Sequence, residues 1–359
     1  MKNRIDMLRE FMNAETAFLI LNPVNVRYMS GFTGGEAELL ISQDRAVLFT
    51  DFRYIEQAHN ETKGYEIVKV TSDFYELIKN ILLTGALKSL ALEEDYINHK
   101  EYKYIEKSLA GFVLTDQNQE IERMRQVKDT NELLIMKKAA QIGDEAFAAL
   151  LKYIKVGMSE NHAKNYLEHT MKELGASGAS FETIIASGRR SAMPHGTASE
   201  KIIEDGDIVT VDFGCVYQGY CSDMTRTFFI GDCEKRVETA ELREIYEIVN
   251  SARAAAVGAA RAGITGRALD AVARDYIRAH GYGDYFGHGL GHGVGLNIHE
   301  MPNANMRNEK PLPVGAVITI EPGIYVEGLG GVRIEDTVII EKNGCEIITC
   351  TDRGWWSCR

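Results

Sequence analysis

GDIVTVDFG (residues 206–214) alternates apolar with polar residues and is rich in Val and Ile, a pattern that predicts a β-strand. SDMTRTFFIG (222–231) has the same pattern, and Gly219 between the two stretches suits a tight turn. The two stretches are therefore expected to form a β-hairpin. Their dense apolar content indicates that the hairpin is buried in a sheet.

Each strand of this first hairpin carries one aspartate, Asp212 and Asp223. With the turn centred on Tyr217 and Gln218, the two aspartates lie directly opposite each other on one face, with Cβ atoms about 5 Å apart. On a solvated hairpin such a pair would be two ordinary surface carboxylates. In a buried sheet the two charges repel each other and require a counter-ion, and the apolar flanks favour this interpretation.

A second hairpin repeats the arrangement further along the chain. GAVITIEPG (315–323) aligns with the first strand and places Glu321 at the position of the first aspartate. VRIEDTVII (332–340) predicts the partner strand and contains Glu335. A turn centred near Gly328 places Glu321 opposite Glu335, so each hairpin is expected to present a pair of acidic side chains.

The chain also repeats a helical pattern, which indicates an internal duplication. VGMSENHAKNYLEHTMKELG (156–175) resembles AGITGRALDAVARDYIRAHG (262–281), and each stretch predicts an amphipathic helix that ends at a glycine. Two α+β segments can align loosely by chance, but the shared order of helix start, helix end and acidic strand favours duplication. Two such halves facing each other, related by a pseudo-twofold axis, would bring both acidic pairs to one centre.

The composition is typical of a soluble globular protein, since 45% of the 359 residues are hydrophobic and 26% are charged. The net charge of −12 disfavours a nucleic-acid partner, because the phosphate backbone requires a basic surface. No apolar run approaches the roughly 18 residues of a membrane span, and the charged N-terminus does not resemble a signal peptide. We therefore expect no membrane association, a cytoplasmic location and six reduced cysteines.

Two domains are expected from the length. Residues 1–122 alternate short apolar strands with amphipathic helices, which predicts an α/β domain, and residues 123–359 contain the duplicated α+β halves. Asp129 followed by Glu132 predicts a capped start for a long helix. In the first domain we expect strands at 17–22, 38–43, 45–51, 66–70 and 89–95, and helices near 2–12, 52–61, 73–83 and 98–108.

A run of glycines and histidines, GHGLGHGVGLNIHE (287–300), precedes the second hairpin. So many glycines exclude a stable helix and permit close approach of the backbone to a ligand or metal. The run is neither an HExxH motif nor a dinucleotide-binding fingerprint. Its imidazoles, His288, His292 and His299, can supply a metal ligand and acid–base groups, and the alternative is a flexible loop with incidental histidines.

A fourth histidine, His195, lies in SAMPHGTAS (191–199), a predicted loop. A single histidine in a loop is usually a surface residue without a chemical role. This one comes shortly before the first acidic hairpin, and that position favours a functional interpretation.

VDFG, GYCSDMTRTF, HGLGHGVGLNIHE, TIEPGIY and GVRIEDT together resemble the pita-bread metallopeptidases, which include aminopeptidase P, prolidase and methionine aminopeptidase. LNPVNVRYMSGFTG (21–34) and TDFRYIEQA (50–58) resemble the creatinase-like N-terminal domain of the Xaa-Pro branch, which methionine aminopeptidases lack. The C-terminal TCTDRGWWSCR (349–359) departs from the family ending, and the sequence offers no physical account of it.

This resemblance implies a set of metal ligands, namely Asp212, Asp223, His292, Glu321 and Glu335. Four carboxylates offset the charge of two divalent ions. Oxygen-rich coordination with a single imidazole favours a hard ion such as Mn²⁺, with Co²⁺ also possible. Two ions 3.5–4 Å apart, as is usual of two-metal sites, share a bridging hydroxide near neutral pH.

The resemblance also implies roles for the remaining residues. The hydroxide attacks the scissile carbonyl, and Glu321 takes the proton and passes it toward the leaving nitrogen. The other roles are oxyanion stabilisation by His299, a hydrogen bond near the leaving nitrogen from His195, lining of a proline pocket by His288, and support of a ligand carboxylate by Arg333.

The expected activity is that of an Xaa-Pro aminopeptidase, which removes the first residue from short peptides with proline at the second position and prefers oligopeptides. The alternative within the family is an Xaa-Pro dipeptidase, or prolidase. A metal-free hydrolase like creatinase and a non-catalytic binding module are less favoured, because all five ligand types and both His195 and His299 are present. Relatives are commonly homodimers, so a homodimer is expected.

Overall fold

A six-stranded sheet forms the centre of the first of two compact units. The units are Met1–Arg125 and Gln126–Arg359. The structure is a computed structural model that describes residues 3–117 and 119–358. The structure separates the units between Arg125 and Gln126. The functional domain limits expected from the sequence, 1–122 and 123–359, remain predictions.

In the first unit, strands and helices alternate, which confirms the expected α/β class. The strands are β1 Thr16–Ile20, β2 Ala37–Ile41, β3 Ala46–Thr50, β4 Glu66–Lys69, β5 Ser89–Leu92 and β6 Val113–Asp116. The helices are α1 Arg4–Arg9, α2 Pro23–Ser30, α3 Ile55–Glu61, α4 Phe74–Thr84, α5 His99–Ser108 and α6 Glu120–Arg125. The sheet order is β4-β3-β2-β1-β5-β6, with antiparallel pairing only around β2.

Three elements of this unit, α2, β6 and α6, were not predicted from the sequence. Helix α2 begins with Asn22, whose side chain accepts a hydrogen bond from the amide of Val24, and with Pro23 in its first turn. Both are start signals for a helix. The helix is short, and its apolar residues follow directly on those of a buried strand. The helical repeat of apolar residues could therefore not be distinguished from the strand in the sequence.

The second unit contains four long helices and several small sheets. The helices are α7 Thr130–Tyr153, α8 Glu160–Glu173, α9 Thr239–Ala259 and α10 Gly266–Ala279. The strands are β7 Gly178–Ala179, β8 Ile184–Ser187, β9 Ile208–Phe213, β10 Cys215–Tyr217, β11 Tyr220–Cys221, β12 Met224–Ile230, β13 Gly291–Gly293, β14 Glu300–Ala304, β15 Val317–Ile320, β16 Gly323–Val326, β17 Gly330–Arg333, β18 Asp336–Ile340, β19 Cys345–Ile347 and β20 Ser357–Cys358.

Helix α7 begins with the capping box that the sequence predicts. The side chain of Asp129 accepts from the amide of Glu132, and the Glu132 carboxylate accepts from the amide of Asp129. The buried face of the helix includes Phe147, whose ring stacks on Phe213 with centroids 5.6 Å apart. Helix α7 thus covers the sheet that carries the first acidic strand.

The two halves of this unit repeat the same local structures, which confirms the pseudo-twofold duplication. Ser159 and Thr265 cap the starts of α8 and α10 with their side-chain oxygens. Each cap also forms an isolated antiparallel bridge, Ser159 with Ile202 and Thr265 with Pro311. The strand order β8-β9-β12 in the first half corresponds to β13-β15-β18 in the second.

The register of the first hairpin differs from the prediction. Asp212 pairs with Thr225, not with Asp223. The turn lies at Gln218 and Gly219, which both have positive φ, so it is centred one residue later than expected. Because this shifts the pairing by two residues, both aspartates stay on one face and become diagonal neighbours.

The second hairpin has the predicted register, since Ile320 pairs with Asp336 and Gly323 with Arg333. Glu321 therefore faces Glu335 across the hairpin, between the β15–β18 pairing and the β16–β17 pairing. The sequence predicts two continuous strands, and both are interrupted at these glutamates. The amide of Glu321 donates to the carbonyl of Leu290 at 2.8 Å, and that of Glu335 donates to the carbonyl of Thr225 at 3.2 Å. The acidic residues thus lie where strands of different sheets meet.

We expect Gly214→Ala to destabilise the protein by about 2 kcal/mol or more, because a methyl group at Gly214 would overlap the carbonyl group of Ser222 across the hairpin. Gly178→Ala, in the neighbouring strand β7, is the matched control, since nothing lies within 4 Å of its added methyl. Denaturant unfolding of both variants measures the difference. Equal stabilities would contradict the close approach of the two strands next to Asp212.

Candidate metal centre

One cavity of about 480 Å³ in the second unit collects every site residue predicted from the sequence. These residues come from the loop before β9, from both acidic hairpins and from the histidine run. They are His195, Asp212, Asp223, His288, His292, His299, Glu321, Arg333 and Glu335.

Three carboxylates form the centre of this site. Asp212, Asp223 and Glu335 each offer one oxygen, and these oxygens all lie within 4.8 Å of one another. Asp223 and Glu335 are buried, and each of the three residues also has a buried carboxylate oxygen without a hydrogen-bond partner. Buried carboxylate oxygens without donors are costly, so the arrangement fits a bound cation.

His292 and Glu321 complete the group of five expected ligands. The Nε2 atom of His292 lies 3.6 Å from Asp223 Oδ2 and 3.4 Å from Glu321 Oε1. The Nδ1 atom lies 3.0 Å from the carbonyl oxygen of Gly293, which places the proton on Nδ1. The lone pair of Nε2 therefore points toward the carboxylates, as a metal-binding imidazole requires.

The glycines beside His292 serve packing, and the expectation that they let the backbone approach a ligand stays a prediction. Gly291 and Gly293 form strand β13, between β14 and β15. A side chain at Gly291 would overlap the carbonyl group of Thr319, and one at Gly293 would overlap that of Met301. Only glycine permits this close approach of the strands, and the approach places His292 beside Glu321.

Without a cation, the pKa values of three carboxyl groups, those of Asp223, Glu335 and Glu321, are shifted upward. Burial raises the pKa of Asp223 well above its usual range, and the nearby carboxylates of Glu335, Asp212 and Glu321 raise it further. The pKa of Glu335 is raised in the same way, by burial first and then by Glu321 and Asp212. Burial also raises the pKa of Glu321. The metal-free site therefore favours protonated carboxyls, and a cation would favour their ionised forms.

Arg333 supplies a fixed positive charge next to this group. Its guanidinium donates to Asp212 Oδ2 at 2.6 Å, to the Tyr325 hydroxyl at 2.8 Å and to Thr225 Oγ1 at 3.1 Å. Burial alone would lower the pKa of Arg333, but Tyr325, Asp212 and Glu321 raise it well above its usual range. One guanidinium cannot balance four carboxylates, so the need for further cations remains.

The other histidines surround the carboxylates. Nε2 of His288 lies 3.0 Å from the hydroxyl of Tyr325, and the ring of His299 lies 4.3 Å from that of His292. Burial lowers the pKa of both His288 and His299, which favours neutral imidazoles near neutral pH. His195 and His299 are exposed, so a molecule that enters the cavity can reach them.

Two residues of the site were missed in the sequence. Tyr325 bridges His288 and Arg333, and Thr225 bonds both Arg333 and Glu335, its hydroxyl donating to Glu335 Oε2 at 2.7 Å. Both could have been found from strand alternation. Thr225 lies two residues after Asp223, and residues two apart on a strand share a face.

Comparison with known proteins identifies the family. Residues 135–342 match the metallopeptidase family M24, and residues 4–127 match the creatinase/prolidase N-terminal domain. The chain belongs to metallopeptidase family M24. Membership confirms the expected hydrolase class and pita-bread fold, and it implies divalent metal ions in a site whose donors fit them.

Full-length relatives of this M24 protein are known. A Pyrococcus furiosus protein named Xaa-Pro dipeptidase is 42% identical over 363 residues, covering 98% of this chain and 99% of the relative. The solved Xaa-Pro dipeptidase from Bacillus anthracis has a TM-score of 0.94 at 42% identity and covers 98% of both chains. The X-Pro aminopeptidase structure from Thermotoga maritima has a TM-score of 0.91 at 40% identity, covering 99% of this chain and 100% of that chain.

We expect Glu335→Gln to raise the melting temperature of the metal-free M24 protein at about pH 8 and to change it little at about pH 5. A carboxyl whose pKa is raised by folding stabilises the native state below its unfolded pKa. That contribution is lost as the pH rises through the folded pKa, and Gln does not titrate.

Thermal melts in excess chelator measure this difference. Glu327→Gln, an exposed position on the same hairpin, is the control and should follow the parent at both pH values. A gap between Glu335→Gln and the parent that does not widen with pH would contradict the upward pKa shift that burial and the neighbouring carboxylates give Glu335.

Proposed function

We propose that this protein is an Xaa-Pro dipeptidase that uses two divalent metal ions. The observation that carries the proposal is the convergence of three carboxylates, with oxygens within 4.8 Å of one another, in a cavity that also holds four histidines. The names of the Pyrococcus furiosus and Bacillus anthracis relatives favour dipeptides as substrates. The sequence alone favoured longer peptides, and the relatives support its alternative better.

The metal ions would be held by Asp212, Asp223, His292, Glu321 and Glu335. Four carboxylates balance two divalent charges, and oxygen donors with one imidazole favour Mn²⁺, with Co²⁺ as the alternative. When bound, the ions supply a Lewis acid for the scissile carbonyl and a water of lowered pKa. Arg333 keeps Asp212 oriented through its hydrogen bond at 2.6 Å.

The side chains around the ions handle protons and substrate. Glu321 accepts the proton of the attacking water and delivers it to the leaving nitrogen. His299 stabilises the oxyanion that develops from the carbonyl, and His195 donates to the substrate near the leaving nitrogen. His288, held by Tyr325, lines the space for the proline ring.

The second candidate is an Xaa-Pro aminopeptidase, the activity in the name of the Thermotoga maritima relative. One observation favours it. Arg333 is the single arginine or lysine among the described residues that line the cavity, and Asp212 and Tyr325 engage it. A free dipeptide brings a C-terminal carboxylate, and no unengaged arginine or lysine among these lining residues is there to pair with it.

The setting of this activity is proposed as the cytoplasm, with short peptides as partners and a homodimer as the assembly. Among the described residues, no helix has both the length and the apolar content for a membrane crossing. All six cysteines are free thiols, in agreement with a reducing compartment. The net charge of −12 disfavours nucleic acid as a partner.

Substrate length separates the two candidates. With Mn²⁺ added to chelator-treated protein, we expect kcat/KM for an Xaa-Pro dipeptide to exceed that for the matched Xaa-Pro-Yaa tripeptide by about tenfold or more, a selectivity of about 1.4 kcal/mol. Xaa-Ala is the control for the proline requirement. Faster cleavage of the tripeptide would assign the protein as an aminopeptidase, and activity that survives exhaustive chelation would reject the metal mechanism.

Glu321→Gln is expected to lower kcat by about 10²–10⁴-fold, because an amide cannot accept and return the proton. Glu327→Gln, on the exposed end of the same hairpin, should retain parental kcat. Steady-state kinetics with saturating Mn²⁺ measure both, and calorimetric titration with Mn²⁺ separates lost metal binding from lost proton transfer. A fully active Glu321→Gln protein would exclude the proton role.

A further inference from the structure

The C-terminal segment 349–358 contacts the residue that follows a proposed metal ligand. Asp336, next to Glu335, is fully buried and accepts hydrogen bonds from three guanidinium groups and one hydroxyl. Two of these donors belong to the segment. Arg353 engages both carboxylate oxygens of Asp336 at 2.8–3.0 Å, and the Thr349 hydroxyl donates at 2.8 Å.

Arg226 connects this cluster to the metal ligand itself. Its fully buried guanidinium donates to Asp336 Oδ1 at 3.1 Å and to the main-chain carbonyl of Glu335. It also donates to the carbonyl of Thr225 at 2.9 Å, and the Thr225 hydroxyl bonds the Glu335 carboxylate. A fourth acceptor, the carbonyl of Thr351 at 2.9 Å, lies in the C-terminal segment. The segment therefore supplies one of the four acceptors that hold the Arg226 guanidinium.

The segment is attached firmly at other points. The Asp144 carboxylate on α7 accepts from the amides of Cys350 and Thr351, each at 2.8 Å, and from the Thr351 hydroxyl. Trp355 packs on Phe229, with ring centroids 4.1 Å apart. Strand β20 then pairs with β12, the second strand of the first acidic hairpin. A segment held at these points can fix the groups that it contacts.

We infer that segment 349–358 positions Glu335 for metal binding, through Arg353 and Asp336 to Arg226. The third guanidinium, Arg253, donates to Asp336 Oδ2 at 2.6 Å, so three positive charges surround one negative charge next to the four carboxylates. This excess of positive charge offsets part of the repulsion at the site, and the bonds of Arg226 limit how far Glu335 can turn away. The inference rests on the proposed metal centre, and it gives the unusual C-terminal sequence a role.

The test is the affinity of the full-length, chelator-treated protein for Mn²⁺, measured by titration calorimetry. We expect Arg353→Gln to weaken Mn²⁺ binding by about 10-fold or more, the loss typical of groups that orient metal ligands. Arg353→Lys keeps the charge without the paired hydrogen bonds and should recover part of the affinity. Arg243→Ala is the control, because Arg243 lies over Trp355 but bonds the exposed Glu234 instead of Asp336.

Asp144→Asn provides a second route, since Asp144 holds the segment but does not bond Asp336 or Glu335. Asp144→Asn should also weaken Mn²⁺ binding, and it replaces Arg353→Gln as the test variant if Arg353→Gln does not fold. If folded Arg353→Gln binds Mn²⁺ with the affinity of the parent, the inference is wrong. If Arg353→Gln does not fold, parental affinity in Asp144→Asn has the same consequence. An equal loss in Arg243→Ala would also overturn it, by showing a general loss of structure. If the parent binds no Mn²⁺, the proposed metal centre fails instead.

Discussion

Repulsion among buried carboxylates is the constraint on which the rest of this structure depends. Asp212, Asp223 and Glu335 meet in the interior of the second unit, each with an oxygen that no protein donor satisfies. A folded chain tolerates this when the side chains are held from outside the group and when protons or bound cations neutralise the charges. Arg333 supplies one positive charge, and membership of metallopeptidase family M24 implies that divalent metal ions supply the others.

Much of the surrounding structure can be understood as restraint on those acids. Three threonines tie them to neighbouring strands: Thr225 bonds the Glu335 carboxylate, Thr319 bonds that of Glu321 at 3.1 Å, and Thr337 bonds the Asp223 carbonyl at 2.7 Å. The glycines of β13 bring their strand close enough for His292 to reach the acids. Rigid strands with satisfied neighbours hold ligand geometry better than loops do.

The strongest periodic signals in the sequence predicted the fold class, the duplication and the acidic residues of the two hairpins, and the family resemblance supplied the rest of the expected site. They could not predict the first register, because moving a turn by one residue leaves every side chain on its original face. Only the backbone conformations of Gln218 and Gly219 decide between the two pairings. Contacts between residues far apart in the sequence could not be predicted from local patterns either. Nothing near Gly291 indicates that the main chain of Thr319 lies against it, and nothing near Arg353 indicates Asp336.

The duplication has a consequence for how the protein is made. Asp212 and Asp223 belong to the first half, while His292, Glu321 and Glu335 belong to the second, so neither half contains all five proposed ligands. During synthesis, a chain whose first half alone has left the ribosome holds one acidic pair, Asp212 and Asp223, and none of the other three proposed ligands. Metal capture must therefore wait until nearly all of the chain has emerged, which makes metallation a late event in biogenesis.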